Sequence, residues 1–76
     1  MRFQLSDHAA KRLIKRGIRP EWVEAAINDP DTTRPDENDA ELVHAIKMIP
    51  EKGFKTLRVV YNETTEPYRV VTAFFE

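Results

Sequence analysis

Hydrophobic and polar positions follow one spacing near the start of this chain and another in its second half. Between Ser6 and Gly17, in SDHAAKRLIKRG, apolar residues recur at the three- and four-residue spacing of a helix that buries one side. Ser6 can cap the first turn and Gly17 can close the last, so we predict a helix between them. Its apolar side holds Ala9, Ala10, Leu13 and Ile14, and its polar side holds His8, Lys11, Arg12, Lys15 and Arg16.

A second helical pattern follows at once. The segment PEWVEAAIND begins with Pro20, which suits a first helical turn, and places its apolar residues at helical spacing. We predict a helix from Pro20 to about Asn28, with Trp22 anchoring it in the core. Before the first helix, Phe3 and Leu5 flank a polar residue and predict a short extended lead-in.

After Pro30 the pattern changes to that of strands. The segment DPDTTRPDENDAE is rich in turn formers and acids, and we predict a loop there with a short edge strand around residues 32–34. Three segments of alternating apolar residues follow at 42–49, 54–62 and 68–75, joined by the hairpin turns PEKG and ETTEP. We therefore predict one α+β domain over residues 1–76, with two N-terminal helices packed on a three- to four-stranded antiparallel sheet.

Composition narrows the chemistry. The chain has 76 residues, of which 41% are hydrophobic and 33% charged, so it can bury one small core. It has no cysteine, which excludes a disulfide scaffold, a thiolate metal site and a cysteine nucleophile. Two glycines are too few for a phosphate-cradling loop, and the acidic run lacks the glycine and spacing of a calcium loop. We expect no metal and no cofactor.

The start of the chain lacks the apolar run of a signal peptide, and no stretch has the 18 to 20 apolar residues of a membrane span. We therefore expect a cytoplasmic protein with no membrane partner. The net charge is −1 and the isoelectric point is about 6.1, but the charges are unevenly distributed. Residues 1–20 carry +5, residues 21–41 carry −7 and the remainder carries +1. The acidic middle would repel RNA unless it faces away, or it could meet a basic partner or mask a site.

The last hairpin predicts a polar pair on the sheet. A symmetric turn at 63–67 places Arg58 opposite Thr72, on the same face as Val60 and Val70, and a slip of one residue would turn Arg58 to the other face. If this face meets the polar side of the first helix, an imidazole, several guanidiniums and a hydroxyl form one pocket. The plainer interpretation is an ordinary cross-strand pair.

Such a pocket suits metal-independent RNA cleavage, in which a 2′-hydroxyl attacks the adjacent phosphorus and fixed cations stabilise the developing charge. In this hypothesis His8 is the general base or general acid. Arg12 and Arg58 hold the phosphate oxygens, and Thr72 donates a positioning hydrogen bond. His44 is the only other neutral-range proton-transfer group, although its place in a strand is more typical of sheet packing.

The flanking cations complete the predicted surface. Arg16 would contact the adjoining RNA backbone, or simply complement the C-terminal end of the helix dipole. Lys11 and Lys15 would bind substrate, or only cover apolar neighbours with their aliphatic stems.

The segments SDHAAKRLIKRGI, EWVEAAINDP, TLRVVYN and VVTAFF resemble a widespread family of small uncharacterised domains. The family's signature runs S-x-H-A-x-x-R-[LM]-x-x-R-G-I, then L-R-V, then V-V-T-[AV]-[FYW]. The resemblance spans nearly the whole chain and fades at residues 31–41. By fold and residue placement, the family is grouped with the Barnase–EndoU–colicin–RelE (BECR) superfamily of metal-free ribonucleases and toxin domains. The signature positions occupied here are Ser6, His8, Ala9, Arg12, Leu13, Arg16, Gly17, Ile18, Arg58 and Thr72.

This resemblance implies two helices with a four-stranded antiparallel sheet, and an endoribonuclease that is the toxin of a toxin–antitoxin pair. RNA and an antitoxin protein would then be its partners, and His8, Arg12, Arg58 and Thr72 its site residues. The alternative is a non-catalytic module whose basic helix docks RNA or an acidic protein without cleaving it.

Overall fold

The computed structural model describes residues 3–76, in which two helices cover one face of a five-stranded mixed sheet. Along the chain the elements are β1 (Phe3–Leu5), α1 (Asp7–Lys15), α2 (Pro20–Asn28), β2 (Thr32–Pro35), β3 (Leu42–Ile49), a 3₁₀ turn (Pro50–Lys52), β4 (Lys55–Asn62) and β5 (Tyr68–Phe75). In the sheet the strands lie in the order β1-β5-β4-β3-β2. The α+β class and both helices are confirmed, but the predicted three to four strands are too few.

The sheet is mixed because its first strand runs parallel to its last. Phe3 pairs with Tyr68 and Leu5 with Val70, so the predicted extended lead-in is a strand at the sheet edge. The predicted wholly antiparallel sheet is therefore wrong at this edge. β1 has only three residues, so its hydrophobic pattern is weak, and its partner lies at the far end of the chain. The periodicity of the sequence therefore could not predict which strand it pairs with.

Both ends of α1 form as the sequence predicts. The Ser6 hydroxyl accepts a hydrogen bond from the Ala9 amide at 3.1 Å, which satisfies one free N–H of the first turn. At the other end Gly17 has φ +68°, and the Ile18 amide donates to the Leu13 carbonyl at 2.9 Å. This is a Schellman closure, and Ile18 is buried beside it. Ile14, predicted on the apolar side, is instead 81% exposed, because the core contact of this helix runs through Ala9 and Leu13.

The core lies between the helices and one face of the sheet. Val23 and Ala26 of α2 are fully buried, and they belong to one cluster with residues of the three central strands. The strand members of that cluster are Ala45, Ile49, Leu57, Val59, Tyr61, Val70 and Ala73. Trp22 packs edge-on against Phe75, with ring centroids 6.1 Å apart, so its predicted anchoring role is confirmed.

A bulge in β5 changes the predicted register of the last hairpin. Arg58 pairs with Phe74, and Thr72 pairs with Val60, so Arg58 does not lie opposite Thr72 as predicted. The register then shifts, and Tyr61 pairs with Val70, which leaves one extra residue in β5. As a result Arg58 and Thr72 do share a face, as diagonal neighbours, but Val70 faces the helices instead.

The second face of the sheet, which we call the open face, presents the residues that alternate with the core positions. It carries His44, Arg58, Val60, Thr72 and Phe74. Within residues 3–76 both long helices lie on the other side, so this face has no helical cover. The described part of the chain also contains no helix that is long and apolar enough to cross a membrane.

Candidate functional site

Three charged or titratable side chains are linked by hydrogen bonds on the open face. His44 Nε2 lies 2.7 Å from Asp36 Oδ1, and His44 Nδ1 lies 3.0 Å from Arg58 Nη1. The strand register accounts for one contact, because His44 pairs with Val60 and Ile46 with Arg58, which makes His44 and Arg58 diagonal neighbours. The other contact arises because Asp36 directly follows β2, the strand that pairs with β3.

These contacts define where the imidazole proton lies. Arg58 is a permanent cation and can only donate, so His44 Nδ1 must accept from it. The neutral imidazole therefore carries its proton on Nε2, which donates to the Asp36 carboxylate. A second proton on His44 would occupy Nδ1 and break the contact with Arg58. In the neutral ring the lone pair of Nδ1 therefore lies next to the Arg58 guanidinium.

Asp36 is fixed as an ionised carboxylate. Its hydrogen bond to His44 lowers the pKa of the Asp36 carboxyl below its ordinary value, and the backbone amide of Asn38 acts in the same direction. Asp36 Oδ2 accepts from the amides of Asn38 and Asp39, both at 3.0 Å, in a turn typical of aspartate. The carboxylate is thus oriented by the loop on one side and orients the imidazole on the other.

Arg58 is held from two sides. Its Nε donates to Glu76 Oε1 at the end of β5, while its Nη1 donates to His44. The side chain keeps 23% of its surface exposed, so the guanidinium remains accessible to a ligand from the open face. A half-buried guanidinium with a fixed orientation is well suited to bind a phosphate.

A groove of about 420 Å³ lies against this network. Arg34 brings a second guanidinium to it, because Arg34 pairs with His44 and so projects on the same face. The opposite charge comes from Asp36, which is already bonded to His44, and from exposed Glu37. The complete lining is Arg34, Pro35, Asp36, Glu37, Asn38, His44 and Arg58.

A larger groove, of about 690 Å³, lies at the turn between the helices. Two of its lining cations lie over aromatic rings, Arg19 at 5.7 Å from the Trp22 centroid and Lys52 at 5.9 Å from that of Phe75. These stacking contacts engage the cations, and the lining contains no histidine. The smaller groove therefore has the better chemistry for proton transfer, although it has the smaller volume.

Arg16 joins the first helix to the edge of the open face. Its Nη1 donates to the Ala73 carbonyl at 2.8 Å and to Thr72 Oγ1 at 3.3 Å. Both acceptors lie beyond the three residues of β5 that pair with β1, so Arg16 lies along the uncovered edge of β5. The structure therefore brings together Arg16, Thr72 and, one diagonal further, Arg58.

The remaining cations of α1 lie on a separate surface. His8, Lys11, Arg12 and Lys15 are exposed, and among residues 3–76 their side chains make no hydrogen bond or ion pair. We call these four residues the α1 face. The single pocket proposed from the sequence required them to meet Arg58, but among residues 3–76 no hydrogen bond or ion pair joins any of the four to Arg58, which contacts His44 and Glu76 instead. The partner that the sequence analysis did not identify is Asp36, whose contact with His44 depends on the path of the loop after β2.

Residues 5–75 match the model of the family DUF4258, described as a domain of unknown function. Neither the curated proteins nor the solved structures provide a match.

Proposed function

Because the chain belongs to the DUF4258 family, whose function is unknown, we propose its activity from its own site: metal-independent cleavage of RNA in the groove beside His44. The observation that carries this proposal is the linked set of Asp36, His44 and Arg58 facing the groove. The BECR resemblance of the sequence supports the same reaction class. A role as the toxin of a toxin–antitoxin pair belongs to this proposal, with RNA as substrate and an antitoxin as protein partner.

In the proposed reaction Arg58 binds a non-bridging oxygen of the scissile phosphate. Its Nη1–H then points at the phosphate, and the lone pair of His44 Nδ1 becomes free. Asp36 keeps the imidazole oriented and stabilises the positive charge that His44 acquires, as a carboxylate does behind a catalytic histidine. Arg34, across the groove, is placed for the flanking phosphate.

The covalent step is a transesterification. His44 Nδ1 takes the proton of the 2′-hydroxyl, whose oxygen forms a bond to the adjacent phosphorus. The bond from phosphorus to the 5′-oxygen breaks, and that oxygen takes a proton from water. The products are a 2′,3′-cyclic phosphate and a 5′-hydroxyl, and His44 returns its proton to the solvent. Arg58 stabilises the charge that builds on the phosphorus oxygens.

The α1 face has a separate role in this proposal. Its cations are exposed and unpaired among the described residues, so they attract the RNA backbone without bringing His8 to the groove. This differs from the sequence hypothesis, in which His8 transfers the proton and Arg12 holds the phosphate. The same exposed surface also favours the second candidate function, a module that binds RNA or an acidic protein and cleaves nothing.

A cleavage assay with matched histidine variants tests the proposal. Purified protein is incubated with single-stranded RNA in the presence of EDTA, and the product ends are identified. We expect 2′,3′-cyclic phosphate ends from the wild type and a rate at least about 100-fold lower from His44→Gln, the size typical of a lost general base. Expression of the wild type should also arrest growth, and His44→Gln should relieve the arrest.

The control is His8→Gln, the same substitution at the exposed histidine of α1, which should change the rate at saturating RNA little. A rate lost in His8→Gln and kept in His44→Gln would return the chemistry to α1. RNA binding without cleavage by the wild type would support the non-catalytic module.

A further inference from the structure

We propose that Phe74 is a stacking platform for one base of a single-stranded RNA, next to the phosphate held by Arg58. This inference rests on the proposed function and names the form of RNA that the open face accepts. Duplex RNA keeps its bases stacked inside the helix, whereas a single strand can present an unpaired base to an aromatic ring.

The strand register places Phe74 beside the phosphate site. Phe74 pairs directly with Arg58, so their β-carbons lie about 5 Å apart on the same face. Thr72 lies two residues away along β5, also on the open face. A base over Phe74 would therefore be adjacent to a phosphate at Arg58.

The surroundings of Phe74 leave it available. Its neighbour Phe75 points to the helices and packs against Trp22, whereas Phe74 faces the side without helical cover and remains half-buried. A half-buried aromatic ring beside a guanidinium on an uncovered sheet face combines the two elements of single-strand recognition, a stacking surface and a backbone cation.

The polar edge of β5 continues the same path. Arg16 lies at Thr72 Oγ1 and at the Ala73 carbonyl, beyond the stacking position as seen from Arg58. Arg16 is also the residue at the C-terminal cap of α1, one helical turn after Arg12. An RNA strand that runs from Phe74 towards this edge of β5 therefore meets the α1 face.

Binding of a nuclease-resistant strand tests this inference apart from cleavage. The probe is a short fluorescein-labelled oligonucleotide with 2′-O-methyl groups, which lacks the attacking hydroxyl. We expect Phe74→Leu to weaken its binding at least about fivefold, from the loss of stacking on one base. Phe54→Leu is the matched control, because Phe54 is 65% exposed at the β3–β4 turn, and it should leave the affinity unchanged.

Two further arms separate stacking from a general loss of structure. Phe74→Tyr keeps the aromatic ring and should restore the affinity. In a second series, each oligonucleotide lacks the base at one position. One member should bind the wild type more weakly than the intact oligonucleotide does. Phe74→Leu should bind that member as tightly as it binds the intact oligonucleotide. Equal binding of Phe74→Leu and wild type, or tighter binding of a duplex of the same sequence, would overturn the inference. The probe cannot be cleaved and its binding is compared between wild type and Phe74 variants, so failure of the cleavage proposal leaves this result independent.

Discussion

The open face and the α1 face each place a histidine near arginines, but the surroundings of the two histidines differ. His44 has both ring nitrogens engaged, one by Asp36 and one by Arg58, and its side chain is only 19% exposed. His8 lies on the outer side of α1, exposed, with no side-chain hydrogen bond among the described residues. A proton-transfer group needs a defined tautomer and orientation, and only the first environment supplies both.

RNA binding and phosphate stabilisation make different demands on the cations of the two faces. Exposed lysines and arginines interact with RNA mainly through long-range attraction, which salt screens and which requires no fixed geometry. The transition state of phosphoryl transfer is instead stabilised by cations whose positions are fixed before the reaction begins. The open face has one such cation in Arg58, which is held by His44 and Glu76, whereas the cations of the α1 face are exposed and unpaired among residues 3–76.

The two faces should differ most in their contribution to the salt dependence of RNA binding. Replacing Lys11 and Lys15 together by glutamine should weaken RNA binding and make the plot of log affinity against log salt shallower by about 1.4, at about 0.7 per phosphate contact on a single strand. The rate of cleavage at saturating RNA should not change. Fluorescence titrations over a range of salt concentrations measure the slope. A lower saturating rate would place the α1 face in the reaction.

A smaller effect concerns stability in acid. The pKa of Asp36 is lowered in the folded protein by its hydrogen bond to His44, so its contribution to stability is present above the ordinary aspartate value of about 3.9 and is lost as the pH falls through the folded value. From neutral pH to about pH 3, the wild type should therefore lose more stability than Asp36→Asn. Denaturant midpoints at matched pH values measure the difference. An equal loss in both proteins would mean that the contact does not persist in solution.

Much of the fold could be predicted because its elements carry local signals. The alternation in 42–49 and 68–75, the cap at Ser6 and the turn at Gly17 gave the central strands and the first helix nearly at their observed bounds. The parallel pairing of β1 could not be predicted in the same way, since three residues have too little pattern to select a partner more than sixty residues away. The bulge in β5 likewise has no signature in the sequence around residue 71.

The candidate site was harder to predict than the fold. The predicted register of the last hairpin placed Arg58 and Thr72 on one face, which the structure bears out, but Arg58 pairs with Phe74 and Thr72 with Val60 instead of with each other. His44 was recognised as a titratable residue, yet its contacts come from strands and a loop that the sequence does not align. Asp36 lies in an acidic loop, and the sequence does not distinguish it from the other carboxylates there. Only the tertiary path of that loop brings Asp36, rather than another acid, to His44.

The position of the proton on the His44 ring decides whether His44 can act as the general base. Long-range ¹H–¹⁵N NMR correlations at neutral pH distinguish the two nitrogens of each histidine ring, and His44→Gln assigns the signals. We predict a proton on His44 Nε2 and none on Nδ1, since Arg58 donates to Nδ1 and Asp36 accepts from Nε2. Exposed His8 should give averaged signals from both tautomers. A proton on His44 Nδ1 would contradict the account, because that nitrogen could then neither accept from Arg58 nor take the proton of a 2′-hydroxyl.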